Sequence, residues 1–469
     1  MGVTAVVGFQ AGDEGKGKVV DLLAKDSDIV ARFQGGANAG HTIVVKGEQY
    51  ISHLLPSGIL YDNVRIGIGR GLVLDVLQLS NEVLEMEERA GIDLSKRMII
   101  DDKAQLLLPF HRIVDLAQES KADRGTTARG IGPAYEDETA RRSIYAFALK
   151  DKELLGSLVK ASCELAEAKI KKVFGISDDE FTEFFDVITE KEVRGNKILL
   201  DLGLLKEEDL DFTIFQKGAS FDHEAMTEVV FEKAKRFTGN IGNLTAEIHD
   251  AIKDKKEVLL EGAQGRELDK RHGVQPGVTS SHTIVAEAAS GIGMPPYAID
   301  RIIGIGKAYT TKVGTHIFPT EMEDCELSTK LKKFEFGATT GRQRMVGWFD
   351  LVQGRMSQML NGHHEIGIMK IDLLSGADEL KICTAYELDG KQLKLPPSNP
   401  EDLKRAKPVY KKFPGWKDDI TNVRKFEDLP GAAQDYLRFI EAGMNESSLL
   451  PMKLKFVGVG PGREQTIVL

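Results

Sequence analysis

With 469 residues and 47 glycines, the chain is long enough for a large buried core and rich in positions where backbone can approach a ligand closely. Its 62 basic and 72 acidic residues leave a formal net charge of −10, which argues against wrapping a nucleic acid but leaves room for a local basic pocket. Three widely spaced cysteines, Cys163, Cys325 and Cys383, disfavour a disulfide framework or a Cys-rich zinc site; with no signal-peptide or membrane-span pattern, a cytoplasmic protein is expected.

Thr4 to Val7 is a short β-branched run that predicts a buried strand, and Val19 to Leu23 predicts a helix. Between them, Gly12-Asp13-Glu14-Gly15-Lys16-Gly17-Lys18 matches the G-x-x-x-x-G-K spacing of a phosphate-binding loop, with Val19 where a Ser or Thr would hold magnesium. Glycines there expose successive backbone N–H groups, and the helix N-terminus adds positive potential. Asp13 is a hard oxygen donor suited to Mg²⁺. Ile29 to Phe33 predicts a second strand, followed by the small-residue loop Gly35 to Thr42. His41 in that loop has a pKa range suited to protonating a leaving phosphate, though a lone histidine is as readily structural. The stretch Arg124 to Pro133 packs two hydroxyls and two guanidinium groups into ten residues, a mixture suited to an anion.

From about 150 to 256 the character changes. Leu155, Leu158, Val159, Ala166, Ile170 and Val173 recur at helical spacing, which predicts a mainly helical insertion whose charge runs, such as 206–211, are solvated faces. Strand-like runs resume at Val258–Leu260, Ile302–Ile305 and Ile366–Met369. The first leads into Glu261-Gly262-Ala263-Gln264-Gly265, where Gln264 offers both a donor and an acceptor, and Val278 to Ser281 adds a hydroxyl-rich turn. Thr339-Thr340-Gly341-Arg342-Gln343-Arg344 repeats the hydroxyl–arginine mixture, so two different anions are expected. Lys370-x-Asp372 at a strand end can read guanine: the carboxylate accepts from N1–H and the exocyclic amine, while the lysine stem covers the ring, selecting GTP over ATP. His363-His364 has no partner at metal-ligand spacing, and no transition metal is assigned. The proline-bearing stretch Leu395 to Pro414 reads as loop. Alternating strands and helices predict an α/β fold, a large central, mostly parallel sheet flanked by helices and resembling the P-loop GTP-binding folds.

Taken in order, GDEGKGKVVD, QGGANAGHT, PSGIL, GTTARGIGPAYEDETARR, EGAQG, VTSS, FPTE, FGATTGRQR, GWFD and MKID resemble the adenylosuccinate synthetase family. The resemblance covers nearly the whole chain and is weakest in the helical insertion and the last few dozen residues. It implies a single domain over residues 1–469, with a base-binding part at about 365–469. It also implies GTP-dependent ligation of L-aspartate to IMP through a 6-phosphoryl intermediate, giving adenylosuccinate, GDP and phosphate. Asp13, His41 and Gln264 would be catalytic, and Asp13 with the Gly40 carbonyl would hold Mg²⁺. IMP would meet Asp13, Asn38, Thr127, Arg141, Gln264, Thr279 and Arg342, with Arg141 reaching the partner's site in a homodimer. Aspartate would meet Ala338, Thr339, Thr340, Gly341, Arg342 and Arg344, on a loop expected to close over it. GTP would meet Gly12, Glu14, Gly15, Lys16, Gly17, Lys18, Gly40, Thr42 and Arg344 at its phosphate end. Its base end would meet Lys370, Ile371, Asp372, Gly458, Val459 and Gly460.

Ala11, Ala37, Ala128, His282, Gly458 and Gly462 depart from residues common in the family, and none of these departures removes a residue with a chemical role in this scheme. Two alternatives have their own signatures. Phage-type relatives that act on dGMP to make 2-aminoadenylosuccinate generally lack the aspartate present here as Asp13. A GTP-binding regulatory protein would need the phosphate loop and Lys-x-Asp, but not Asp13 with His41 or the Thr-Thr-Gly-Arg-x-Arg loop.

Overall fold

The structure, a computed structural model, describes residues 2–122, 127–313, 317–336 and 343–469. Its central sheet is assembled from strands too apolar to leave either face in water. In β1 (Val3–Gly8), Val3, Ala5 and Val7 enter the core on one face of the sheet and Val6 enters the core on the other. The same alternation holds in β2 (Ile29–Arg32), where Ile29 and Ala31 oppose Val30. A period of two with both sides buried is the signature of a parallel sheet between helical layers.

The remaining strands of this sheet are β3 (Arg65–Ile68), β4 (Met98–Asp101), β5 (Ile241–Gly242), β6 (Val258–Glu261), β7 (Ile299–Lys307), β8 (Glu365–Met369), β9 (Lys453–Gly458) and β10 (Thr466–Val468). Their spatial order is β5-β4-β3-β2-β6-β1-β7-β8-β9-β10, and within this sheet only the β9–β10 pairing among the described residues is antiparallel. Strand β1 sits near the middle, with Val6 opposite Glu261 of β6 and Gly8 opposite Ile305 of β7. The loops after β1, β2, β6, β8 and β9 all leave the carboxyl ends of neighbouring parallel strands. That edge is where open α/β sheets bind ligands, because successive crossovers there leave a crevice.

Residues 152–253 are mostly helical. The helix Lys152–Ala168 buries Leu155, Val159, Cys163 and Ala166. Val173, expected on the same stripe, is exposed. The reason is a π-helical turn, Lys169–Val173, which widens the period and swings the stripe outward after Ile170. Edge-to-face contacts among Phe181, Phe185 and Phe221, at 5.1 to 5.9 Å between centroids, hold this layer together. The run at 206–211 is solvated as expected, with Glu207, Glu208 and Asp209 exposed. Residues 241–242 return to the main sheet as β5, alongside Ile100 and Asp101.

The stretch Leu395 to Pro414 differs from its reading as loop. It contains a short helix, Pro400–Arg405, and the strand Lys407–Pro414, paired antiparallel with Glu379–Leu388 in a second sheet. Pro408 and Pro414 are tolerated because that strand is paired on one side only among the described residues. Cys163, Cys325 and Cys383 are all free thiols. No helix among the described residues is long and apolar enough to cross a membrane.

Candidate active site

The loop after β1 reverses direction through three left-handed residues, Gly12 (φ 92°), Asp13 (φ 57°) and Gly15 (φ 85°). Glycine reaches this region freely and aspartate tolerates it. The reversal folds Glu14 beneath the loop, where its buried carboxylate accepts from Gly12 N at 2.8 Å and meets Lys16 Nζ at 2.5 Å. A side chain at Gly8 would come within 2.7 Å of both Glu14 oxygens, so that glycine makes the space. Lys16 is thereby held as a buried cation at the start of helix α1 (Lys16–Ala24).

His41 lies across from this helix N-terminus, and Gly17 has no side chain to keep them apart: a Cβ there would stand 3.2 Å from His41 Cβ. His41 Nδ1 is 2.5 Å from Oε1 of Glu261, the last residue of β6, whose carboxylate also accepts from Ser57 N and Oγ at 2.7 and 2.6 Å. Burial would raise the Glu261 pKa, but His41, Arg32 and Ser57 outweigh it and hold it down to about 2. Burial in turn lowers the His41 pKa against the pull of Glu261. An ionised Glu261 places the imidazole proton on Nδ1 and leaves Nε2 to exchange protons elsewhere.

Three residues expected to contact IMP form a chain. Gln264 Nε2 donates to Asn38 Oδ1 at 3.1 Å, and Asn38 Nδ2 donates to Thr279 Oγ1 at 3.3 Å. Gln264 has a left-handed backbone, φ 53°, and its buried Oε1 has no hydrogen-bond partner among the described residues. Its backbone stands against the phosphate loop: a Cβ at Gly12 would be 3.5 Å from Gln264 Cα. Thr127 is half-buried. Arg141 is exposed, with φ 61°, just past the end of the helix Ile131–Thr139. Ala338, Thr339, Thr340, Gly341 and Arg342 lie outside the described residues.

Arg344 is described, and its guanidinium contacts the Asp13 carboxylate directly. Lys370 Nζ lies 3.9 Å from the same Asp13 oxygen. Behind them is Glu335, fully buried, which receives Lys370 Nζ at 2.8 Å, Lys307 Nζ at 3.2 Å and Tyr309 Oη at 2.5 Å. Burial alone would raise the Glu335 pKa, but Lys307 and Lys370 bring it down to about 2. Burial lowers Lys307 to about 8 and Arg344 to about 10. Glu335, Lys307 and Glu261 are residues that motif reading missed. Glu335 adjoins the FGATTGRQR run, and Glu261 had been noted only as part of a loop; Lys307 had no signal beyond a charge at the end of an apolar strand.

At the base end, Lys370 adopts φ 61° as β8 ends, and the following residues form a short turn, Ile371–Leu374. Asp372 Oδ1 is buried with no hydrogen-bond partner among the described residues, and burial raises its pKa. Ile371 and Val459 point into the core, so only their backbone faces outward chemistry. Lys18, expected among the GTP ligands, donates to Gly460 O at 2.7 Å and Gln465 O at 2.8 Å. Arg463 forks onto buried Asp21 at 2.5 and 2.7 Å, its N–H donates to Val44 O, and its guanidinium covers the Tyr61 ring. The loop after β9 is therefore buckled to the outer side of α1. Among the departures, Ala128 sits at φ 53°, where glycine would be unstrained, and His282 Nδ1 lies 3.3 Å from both Asp269 oxygens.

Of the described residues expected at the site, Gly12 to Gly17, Asn38, His41, Gln264, Thr279, Arg344 and Lys370 gather along one crevice at the strand ends. Gly40 and Thr42 flank His41, and Asp372, Gly458 and Gly460 lie further along the same edge. Comparison with known proteins gives the family. The sequence profile of adenylosuccinate synthetase matches residues 5–202 and 202–467. The chain is 40% identical over its full length to the adenylosuccinate synthetase of Desulfatibacillum aliphaticivorans, covering 99% of that protein, and 42% identical to that of Salinibacter ruber, covering 98%. The fully ligated adenylosuccinate synthetase of Plasmodium falciparum superposes with a TM-score of 0.85 at 31% identity, both chains covered completely. Cyanophage S-2L succinoaminodeoxyadenylate synthetase, solved with dGMP and dATP, gives 0.56 at 17% identity over 100% of this chain and 95% of that one, a likeness of fold alone.

Proposed function

Because the chain belongs to the adenylosuccinate synthetase family, ligases that form a C–N bond, we propose that its crevice joins L-aspartate to IMP with GTP as energy donor. One observation carries the assignment of residues. Gln264 backs onto the phosphate loop while its side chain opens the chain through Asn38 to Thr279, so a purine held there meets Asp13 and the end of a triphosphate on one wall. Asp13 removes the N1 proton of IMP, and the 6-oxygen attacks the γ-phosphorus, releasing GDP. The amine of aspartate then adds at C6, phosphate leaves with the former 6-oxygen, and adenylosuccinate remains. Gln264 supports charge at the 6-oxygen, and His41, oriented by Glu261, donates from Nε2 to the departing diphosphate.

Asp13 and the Gly40 carbonyl suit a hard divalent cation, with phosphate oxygens and water completing the set. Arg344 and Lys370, which face Asp13, are the cations that would meet those phosphate oxygens. When bound, Mg²⁺ supplies electrostatic stabilisation of the transferring phosphate. Lys370 and Asp372 read guanine, the unpartnered Asp372 Oδ1 being the acceptor that N1–H and the exocyclic amine require. Arg141, exposed beyond its helix, reaches the IMP of a second copy in a homodimer. The working compartment is the cytoplasm.

Incubating the purified protein with GTP, IMP and aspartate, with absorbance reporting adenylosuccinate, tests the reading. Parallel reactions replace IMP by dGMP and GTP by ATP. Product with IMP and GTP supports it; product with dGMP and none with IMP would transfer the chain to the other chemistry.

A further inference from the structure

Two charged members of the cluster beneath the phosphate loop, Glu335 and Lys307, belong to none of the expected sites. Glu335 is inaccessible to solvent, yet its two oxygens are shared among Tyr309, Lys307, Lys370 and Arg344, at 2.5, 3.2, 2.8 and 3.4 Å. Its carbonyl also accepts from Arg344 N at 2.9 Å, beside the antiparallel bridge between Phe336 and Gln343. Side chain and backbone thus fix the same arginine. Two of these three cations, Arg344 and Lys370, continue to Asp13. The group carries three positive and two negative charges, an excess that suits an incoming polyanion.

We propose that Glu335 is a positioning residue for the nucleotide phosphates, setting where Arg344 and Lys370 stand and holding Lys370 back from Asp13. The proposal rests on the ligase reading and adds to it a residue that touches no substrate. Glu335 and Asp13 compete for the same two cations. Without the Glu335 charge, Asp13 is the carboxylate left to take both, which ties up the base, while Lys307 becomes a buried cation without its counter-charge. A carboxylate that acts through other side chains leaves a different kinetic trace from one that only stabilises the fold.

Glu335→Gln keeps the shape and removes the charge. The GTP KM is expected to rise and kcat to fall, each by about 10- to 100-fold, the range common for residues that orient ligand-holding side chains. The IMP KM should rise much less than the GTP KM, since of its contacts Asn38, Gln264 and Thr279 are untouched and only Asp13 is engaged. Glu335→Asp, which restores the charge, should recover part of kcat. If Glu335→Gln does not fold, Tyr309→Phe removes one hydrogen bond and keeps the charge, and a smaller rise in GTP KM with IMP KM unchanged is expected. Unchanged GTP KM in a folded variant, or equal losses for all three substrates, would overturn the proposal. Calorimetric titration of each variant with GTP alone separates this from the reaction itself. Weaker GTP binding in Glu335→Gln supports the positioning role even if the wild type makes no adenylosuccinate, and unchanged binding refutes it even if it does.

Discussion

Asp13 occupies a left-handed backbone that asparagine tolerates as well as aspartate does, which makes Asp13→Asn a clean removal of the base. The loop and Glu14 beneath it should persist, with an unchanged thermal midpoint, while kcat falls by about 10²–10⁴-fold, the usual contribution of one positioned acid–base group. Near wild-type kcat in that variant would assign the proton to another residue. At the base end the decisive atom is Asp372 Oδ1, buried and unpartnered. Asp372→Asn puts a donor where guanine presents donors, and GTP binding should weaken by about 5- to 150-fold, the equivalent of one buried polar group left unsatisfied at 1–3 kcal/mol. Calorimetry with GTP measures it, and equal affinity would remove Asp372 from base recognition.

Between elements, β7 and β8 meet at a place where pH acts on stability rather than on chemistry. His363, just before β8, packs its ring against Gly304 of β7 and sets Nε2 3.3 Å from Ser357 Oγ. Burial, helped by His364, holds its pKa down to about 3. In the unfolded chain the imidazole titrates near its ordinary value, about 6.5, so as pH falls the unfolded state takes up the proton first. Above that value the group carries no penalty; below it stability is lost progressively, by about 2 kcal/mol at pH 5. Urea unfolding at pH 7 and pH 5 should therefore show a smaller difference in His363→Phe than in the wild type, by about that amount; equal differences would mean that His363 is protonated in the fold. Elements were legible from sequence where a single physical demand dominated. The apolar runs of β1, β2 and β6 could only be strands buried on both faces, and glycine clusters marked the loops at their ends. The strand Lys407–Pro414 was illegible because two prolines say loop unless one edge is known to lack a neighbour. Glu335 was illegible for a related reason: Lys307, Tyr309 and Lys370, which give it meaning, are joined to it by topology and not by spacing.

At the scale of the whole molecule, the proposed homodimer turns on Arg141, exposed just past its helix. If each copy lends it to the other, two inactive proteins should rescue one another. Mixing Asp13→Asn with Arg141→Leu in equal amounts and allowing exchange should restore about a quarter of wild-type activity, because half the dimers are mixed and each has one intact site. No recovery after demonstrated exchange would place Arg141 outside its neighbour's crevice. The strand order has a consequence for how the protein is made. Strand β1 is synthesised long before its partners, β6 and β7, which come at residues 258–261 and 299–307. Strand β2 is already synthesised by residue 32, yet the slot between it and β1 stays open until β6 fills it. At translation rates of about 5–20 residues per second, β1 waits roughly 15–60 s for its second neighbour. Until β6 is made both edges of β1 are unsatisfied, and until β7 is made one is, exposed to chaperones and to other nascent chains. The phosphate loop, encoded in the first 18 residues, is thus among the last structures to be completed.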